Sequence, residues 1–200
     1  MNTQIITPQE WQTQPWKNGG GVTHELISEK DAKGILWRVS IAEVRQNGPF
    51  SLFPGIDRII LLLEGAGFSL KFQESQSVKN INYHYEPFSF AGEEMIECAL
   101  LGGSVRDFNV MTRRGDLRAT VEVLNLKANT SHLLSLSTST KHLFYVAAGS
   151  IIMCIDENQY IVKEKEMLVV ELKDINAVNL LSQHSGATIF FINITVTGRK

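Results

Sequence analysis

From Gly34 onward, apolar and polar residues alternate in short runs that end at Gly, Pro, Asn or Asp, the two-residue period of half-buried β-strands. No stretch carries the apolar spacing of a long, well-capped amphipathic helix, so the pattern predicts an all-β protein. Ile35 to Val44 puts Trp37, Val39 and Ile41 on one face and Arg38, Ser40 and Ala42 on the other, and Gln46-Asn47-Gly48-Pro49 predicts the exit turn. Pro54-Gly55 predicts a turn feeding the apolar run Ile59 to Leu63, which Glu64-Gly65-Ala66-Gly67 breaks before Phe68 to Phe72 alternates again. Polar Gln73 to Asn80 reads as a loop, and Ile81 to Glu86, Phe88 to Phe90, Met95 to Leu101 and Phe108 to Met111 as strands.

Arg113-Arg114-Gly115-Asp116-Leu117-Arg118 is the most polar cluster mid-chain and reads as a linker, beyond which a second series of strands begins. These are Val121 to Leu126, His132 to Leu136, His142 to Ala147, Ser150 to Ile155, Tyr160 to Val162, Met167 to Leu172, Ala177 to Leu181 and Thr188 to Val196. Leu61-Leu62-Leu63-Glu64-Gly65 resembles Tyr145-Val146-Ala147-Ala148-Gly149, and the same offset lays Asn109 on Asn193. A duplicated β-unit follows: two small barrels or jelly rolls packed side by side, residues 1–114 and 115–200.

Composition adds boundaries. With 44% hydrophobic and 20% charged residues the chain is of ordinary globular make-up, and 19 basic against 21 acidic residues, without long runs, point away from nucleic acid and anionic membranes as partners. Small molecules or proteins fit better. Cys98 and Cys154 lie in apolar surroundings without CxxC spacing, as buried thiols of a reducing compartment do. The N-terminal residues lack a basic region followed by an apolar one, and no apolar run reaches the length of a membrane span, so a cytoplasmic location is expected.

The chemistry is sought among few candidates. The histidines are scattered, only His84 and Glu86 share a face, and no metal or other cofactor is expected. There is no Gly-x-Ser-x-Gly elbow, and Gly19-Gly20-Gly21 lacks the spacing of a phosphate loop. What is left is polar groups fixed in an apolar hollow. Alternation puts Asp107, Asn109, Met111 and Arg113 on one face, away from Phe108 and Val110, while Arg38 and Ser40 share a face of their own strand and Arg58 begins another. An arginine inside a barrel needs a partner, and a guanidinium fork suits a carboxylate, either Asp107 or that of a ligand. The matching stretch of the second half, Phe190 to Ile194, is mostly apolar, so that half reads as structural.

Four blocks in order carry a family likeness: Pro15-Trp16-Lys17-Asn18-Gly19-Gly20-Gly21, Trp37 to Ala42, Gly48 to Arg58, and Asp107 to Arg114. Together they resemble the HutD/Ves family. The resemblance implies a bicupin, two cupin-like barrels without the metal-binding histidines of enzymatic cupins, and site positions Trp16, Asn18, Arg38, Ser40, Arg58, Asp107, Asn109 and Met111. It also implies a non-enzymatic governor of histidine utilisation, sensing an intermediate such as urocanate or N-formylglutamate, or a stress-related protein of the Ves type. The site expected on this basis binds a small carboxylate. Arg38 and Arg58 clamp the anion, Asn18 points towards Asn109 and the arginines, Trp16 and Met111 form apolar walls, Asp107 orients an arginine or accepts an N–H, and the glycines form a rim or lid. The rivals are a metal-independent isomerase or hydrolase with Asp107 or His24 as general base, and a protein acting through a partner or as a homodimer.

Overall fold

The structure is a computed structural model that describes residues 2–137, 140–171 and 176–198; Leu172, the expected end of one strand, lies outside them. In chain order the strands are β1 (Asn2–Ile6), β2 (Gln12–Pro15), β3 (Gly21–Asp31), β4 (Gly34–Val44), β5 (Gly48–Pro49), β6 (Ile56–Glu64), β7 (Phe68–Phe72), β8 (Val78–Ile81), β9 (Phe88–Ala91), β10 (Ile96–Leu100), β11 (Val105–Arg113), β12 (Leu117–Leu126), β13 (Ser131–Leu136), β14 (Thr140–Ala148), β15 (Ser150–Ile155), β16 (Asn158–Lys163), β17 (Met167–Glu171), β18 (Asn176–Ser182) and β19 (Ala187–Val196). Among the described residues the one helical turn, Pro8–Glu10, is of the 3-10 type, and Glu10 ties it by accepting the Thr7 backbone N–H at 2.8 Å. Among the described residues no helix is long and apolar enough to cross a membrane.

The strands form two units. In the first, Trp11–Arg118, a six-stranded sheet runs β2-β3-β4-β11-β6-β9 and a four-stranded sheet runs β5-β10-β7-β8. The inner faces of the two sheets meet in a core of Val44, Ile60, Leu62, Phe68, Leu70, Ile81, Ile96 and Val105. The second unit has the same plan, β1-β17-β14-β19-β12 against β13-β18-β15-β16, over a core that includes Phe144, Met153, Leu168, Leu180 and Phe191. Each is the two-sheet sandwich of a cupin jelly roll, and the chain is an all-β bicupin.

The division differs from an expected break at residue 114. The second unit takes the chain from Ala119 onward together with the residues up to Glu10, because β1 pairs antiparallel with β17 from Asn2↔Glu171 to Ile6↔Met167. The Arg113–Arg118 stretch is a tight turn rather than a linker: Asp116 N–H meets Arg113 C=O at 3.2 Å, and Gly115 supplies the positive φ of 86°. Ile81 to Glu86 is also not one strand. β8 ends at Ile81, and only an isolated parallel bridge, Leu62↔His84, follows.

The duplication is visible in the backbone. Gly65 and Gly149 both adopt positive φ, 98° and 78°, and a Cβ on either would lie 2.7 Å from Ser104 C=O or 2.3 Å from Gly186 C=O. The common offset does not hold throughout, however. Leu61 stands opposite Phe108 in the first unit, whereas Tyr145 stands opposite Phe190, two residues short of the position that lays Asn109 on Asn193. A two-residue slip preserves the side-chain face, so Asn193 still points inward, one step along.

Candidate anion-binding site

Pairing across β4, β11 and β6 stacks the polar residues in three rows. Arg38, Met111 and Arg58 form the first, Ser40, Asn109 and Ile60 the second, and Ala42, Asp107 and Leu62 the third. Residues opposite one another in a ladder share a face, so all nine side chains point into the first unit. On β9, Phe90 and Phe88 extend the first two rows. On β3, a bulge between Glu25 and Ile27 leaves Glu25 beside Ser40 and Ser28 beside Arg38, both inward, and Ser28 donates to Glu25 Oε1 at 2.6 Å. The result is a cavity of about 730 Å³ whose walls include Arg38, Ser40, Arg58, Asp107, Asn109 and Glu25, closed at the rim by the chain from Gln12 to Asn18.

The two arginines dominate it. Arg58 is 7% exposed; its guanidinium carbon lies 4.8 Å from the ring centre of Phe90, 5.3 Å from Phe50 and 5.5 Å from Phe53. Arg38 lies 5.2 Å from the same Phe53 ring and donates to Met111 Sδ at 3.0 Å. Phenyl faces attract the cations but do not neutralise them. Among the described residues neither guanidinium lies within 4.0 Å of a carboxylate, and Arg38 Nε is buried without a hydrogen-bond partner. Burial draws Arg58 down to about 10, opposed by Asp107 and reinforced by Arg38, and burial lowers Arg38 as well, opposed by Glu25. Both remain cationic at neutral pH. Two positive charges, one buried and one half-buried, facing one hollow form a site that gains most from an anion with several acceptor oxygens.

Asp107 lies deeper, 1% exposed, and is not the salt-bridge partner expected for Arg58. Asn109 stands between them, accepting Arg58 Nε at 3.5 Å, the outer limit of a hydrogen bond. Burial pushes the Asp107 carboxyl up to about 7, against the opposing pull of Arg58 and the Asn109 amide, and its Oδ1 has no hydrogen-bond partner among the described residues. The neighbouring Cys98 thiol is pushed up to about 12 by burial, Asp107 and Glu97, so it is an inert core group.

The glycine-rich stretch is the hairpin from β2 to β3. Trp16 N–H meets Gly21 C=O at 2.9 Å, Gly19 takes a φ of 70°, and Asn18 Oδ1 accepts the Gly20 N–H at 3.0 Å. A Cβ on Gly21 would lie 2.3 Å from Glu43 C=O and 3.0 Å from the Trp16 ring, so glycine lets the indole lie flat on the backbone while its Nε1 donates to Thr23 Oγ1 at 2.8 Å. Two expectations are corrected here. Asn18 lines the rim but is exposed and bonds its own loop rather than Asn109 or the arginines. Met111 is no wall, being fully buried beneath Arg38.

Arg113, placed by alternation with Asp107, instead clamps the β3–β4 turn: both terminal nitrogens reach Asp31 at 2.7 Å, and the fork holds that carboxyl down to about 2. His24 stands opposite Ile41, on the face away from the cavity, with Nδ1 2.9 Å from Thr13 Oγ1. His84 and Glu86 are exposed, and Glu86 pairs with Lys79 at 3.6 Å. Among the described residues no three His, Cys, Asp or Glu side chains converge as metal ligands. Sequence reasoning missed Glu25, hidden by its bulge, and the phenyl groups of Phe50 and Phe53, whose block Pro49-Phe50-Ser51-Leu52-Phe53-Pro54 signals only a turn.

The family model of HutD matches residues 8–190. An uncharacterised 21.2 kDa protein in the hutC 3′ region of Pseudomonas putida is 38% identical over 143 residues, 70% of this chain and 72% of the relative. Protein Ves of Citrobacter koseri is 39% identical over 110 residues, 54% of this chain and 56% of that protein. Among solved structures, a conserved protein of unknown function from Pseudomonas aeruginosa PAO1 superposes with a TM-score of 0.88 at 27% identity, covering 98% of this chain and 100% of the other. HutD from Pseudomonas fluorescens SBW25, in a formate condition, gives 0.82 at 23% identity with the same coverage and shows the shared fold. The chain belongs to the HutD/Ves family.

Proposed function

We propose that this protein binds a small carboxylate in its first unit without transforming it, and acts in the cytoplasm as a governor of histidine utilisation that senses an intermediate such as urocanate or N-formylglutamate. The observation that carries the reading is the pair Arg38 and Arg58: a half-buried and a buried guanidinium facing one cavity, with no carboxylate of the described chain within 4.0 Å. Charge-assisted hydrogen bonds of about 1.5 to 3 kcal/mol each bring a ligand of this size to micromolar affinity. The naming of the relatives from the hutC region and of the HutD structure in a formate condition fits a carboxylate and this pathway. Calorimetric titration with urocanate, N-formylglutamate and formate tests it, with Arg58→Met as control. Saturable binding that the substitution weakens at least about tenfold supports the reading; no heat and no thermal shift with any of the three sinks it.

One observation favours a second reading. A carboxyl near pH 7 at the wall of a cavity suits a general base, and Asp107 has that value. NMR of the protein with each acid separates the two, because turnover abolished by Asp107→Asn replaces the binding role with an enzymatic one.

A further inference from the structure

Asp107 is poorly served by its own chain. It lines the cavity and is 1% exposed, yet Oδ1 has no hydrogen-bond partner among the described residues and no cation within 4.0 Å. A buried carboxylate in this condition costs free energy that an N–H donor recovers. The groups that face it are Arg58 from β6, Asn109 from its own strand and Cys98 from β10. None of them satisfies the second oxygen. The Asn109 amide pulls on the carboxyl but leaves Oδ1 unmet, while its own oxygen accepts Arg58 Nε at 3.5 Å, and the Cys98 thiol is a weak donor.

The placement is also directional. Asp107 occupies the third row, whereas the arginines occupy the first, and Asn109 separates them. Along β11 each row is roughly 7 Å from the next, and Arg58 reaches one row inward to Asn109, so an extended molecule can meet the guanidiniums and the carboxylate together. The arginines want acceptor oxygens and Asp107 wants a donor. A dicarboxylate would answer the first and be repelled by the second, which sets N-formylglutamate below urocanate among the intermediates proposed above.

We infer that Asp107 is the specificity-determining residue of the cavity, and that the ligand class is an elongated carboxylic acid carrying an N–H donor at the end remote from its carboxylate. The inference rests on the carboxylate-binding reading and adds the second pole to it. Selectivity then comes from Asp107 and basal anion affinity from the arginines.

Two rigid acids of equal shape test this. Indole-5-carboxylate and benzofuran-5-carboxylate differ in one ring atom, an N–H donor against an oxygen acceptor. Titrated into the whole protein at pH 8, the indole acid binds about 10- to 100-fold more tightly, the ratio that one charge-assisted hydrogen bond yields. In Asp107→Asn both acids still bind, and the ratio falls below about threefold. Equal affinities in the unaltered protein overturn the inference, and so does a preference that persists in Asp107→Asn. The comparison in the unaltered protein decides alone should that variant not fold. If neither bicyclic acid binds while urocanate or formate does, the role of Asp107 falls and the carboxylate site stands; if no acid binds, both fall.

Discussion

Replacing Asp107 by Asn isolates the energetic consequence of keeping an under-solvated carboxyl at the wall of the cavity. Its pKa goes from an ordinary 3.8 to about 7 in the fold, a net shift that already includes the attraction of Arg58. At about 1.4 kcal/mol per unit, the native state forfeits on the order of 4 kcal/mol once the group must ionise. The folded pKa is the higher one, so the stabilisation from the protonated form is complete below about pH 4 and is lost as pH rises through about 7. Asparagine has the same shape and no proton to lose. The variant should therefore exceed the parent by only about 1 kcal/mol near pH 4.5 and by about 4 kcal/mol at pH 8. Arg58 and Cys98, held near 10 and 12, do not titrate within that window. Urea unfolding followed by tryptophan emission is the assay, because Trp11, Trp16 and Trp37, the only tryptophans of the chain, all belong to the first unit. A stability difference that is the same at pH 4.5 and pH 8, or a parent more stable than the variant at pH 8, refutes the reasoning.

Further outcomes follow from single contacts. Phe53→Leu removes the ring that both guanidiniums face and should weaken binding of a carboxylate about three- to tenfold by calorimetry, with the fold intact by circular dichroism. Gly21→Ala drives a methyl into Glu43 C=O and the Trp16 ring and should lower stability by about 2 to 3 kcal/mol in the same urea assay. Gly19→Ala, strained by φ alone in open space, should cost about 1 to 2 kcal/mol. Removing residues 1–10 strips β1 from β17 and takes away Ile5, packed on the core, and Ile6, buried on the strand's other face, about 3 to 6 kcal/mol of burial; light scattering should show association through the bared strand edge. Arg113→Met should lower the melting temperature without changing ligand affinity, since Arg113 ties the β3–β4 turn and not the cavity.

Alternation was enough to place Arg38, Ser40, Asp107 and Asn109 on inward faces, because each lies on a strand whose period is unbroken between them. It failed at Arg113 for a reason of scale. That residue keeps the phase of β11, but at the strand end its long side chain can turn back to the nearest carboxylate, Asp31. Glu25 lies ahead of Gly34, where the alternation starts to read as strands, and the bulge beside it breaks the period of β3. The swap of β1 into the second unit was illegible because Asn2 to Ile6 holds a strand's worth of residues and nothing that names the partner. Asn18 was misread in direction: an Asn before glycine satisfies its own turn at no cost in reach, and that local bond won over the distant arginines.

The two units show what a cavity for an anion demands of a duplicated fold. On the strand whose offset is kept, from Leu61 and Tyr145 to Gly65 and Gly149, His142 falls at the place of Arg58. His142 is 2% exposed and fully engaged: Nδ1 lies 2.6 Å from Asn193 Oδ1, Nε2 lies 2.8 Å from Ser137 C=O, and the ring stacks on Phe191 at 5.9 Å. Phe191 in turn stacks on Phe144 at 4.7 Å. A barrel free of ligand duty satisfies its polar groups internally, because each unmet donor or acceptor in a dry interior costs about 1 to 3 kcal/mol. The first unit departs from that rule at Arg38 Nε and Asp107 Oδ1, on the first and third rows of the cavity wall, and at Trp11 Nε1 and Arg106 Nε away from it. One such lapse is an accident of packing. Two cations with no carboxylate within 4.0 Å and a carboxyl oxygen without a donor, around one hollow, share a remedy in the ligand inferred above, an anion at one end and a donor at the other.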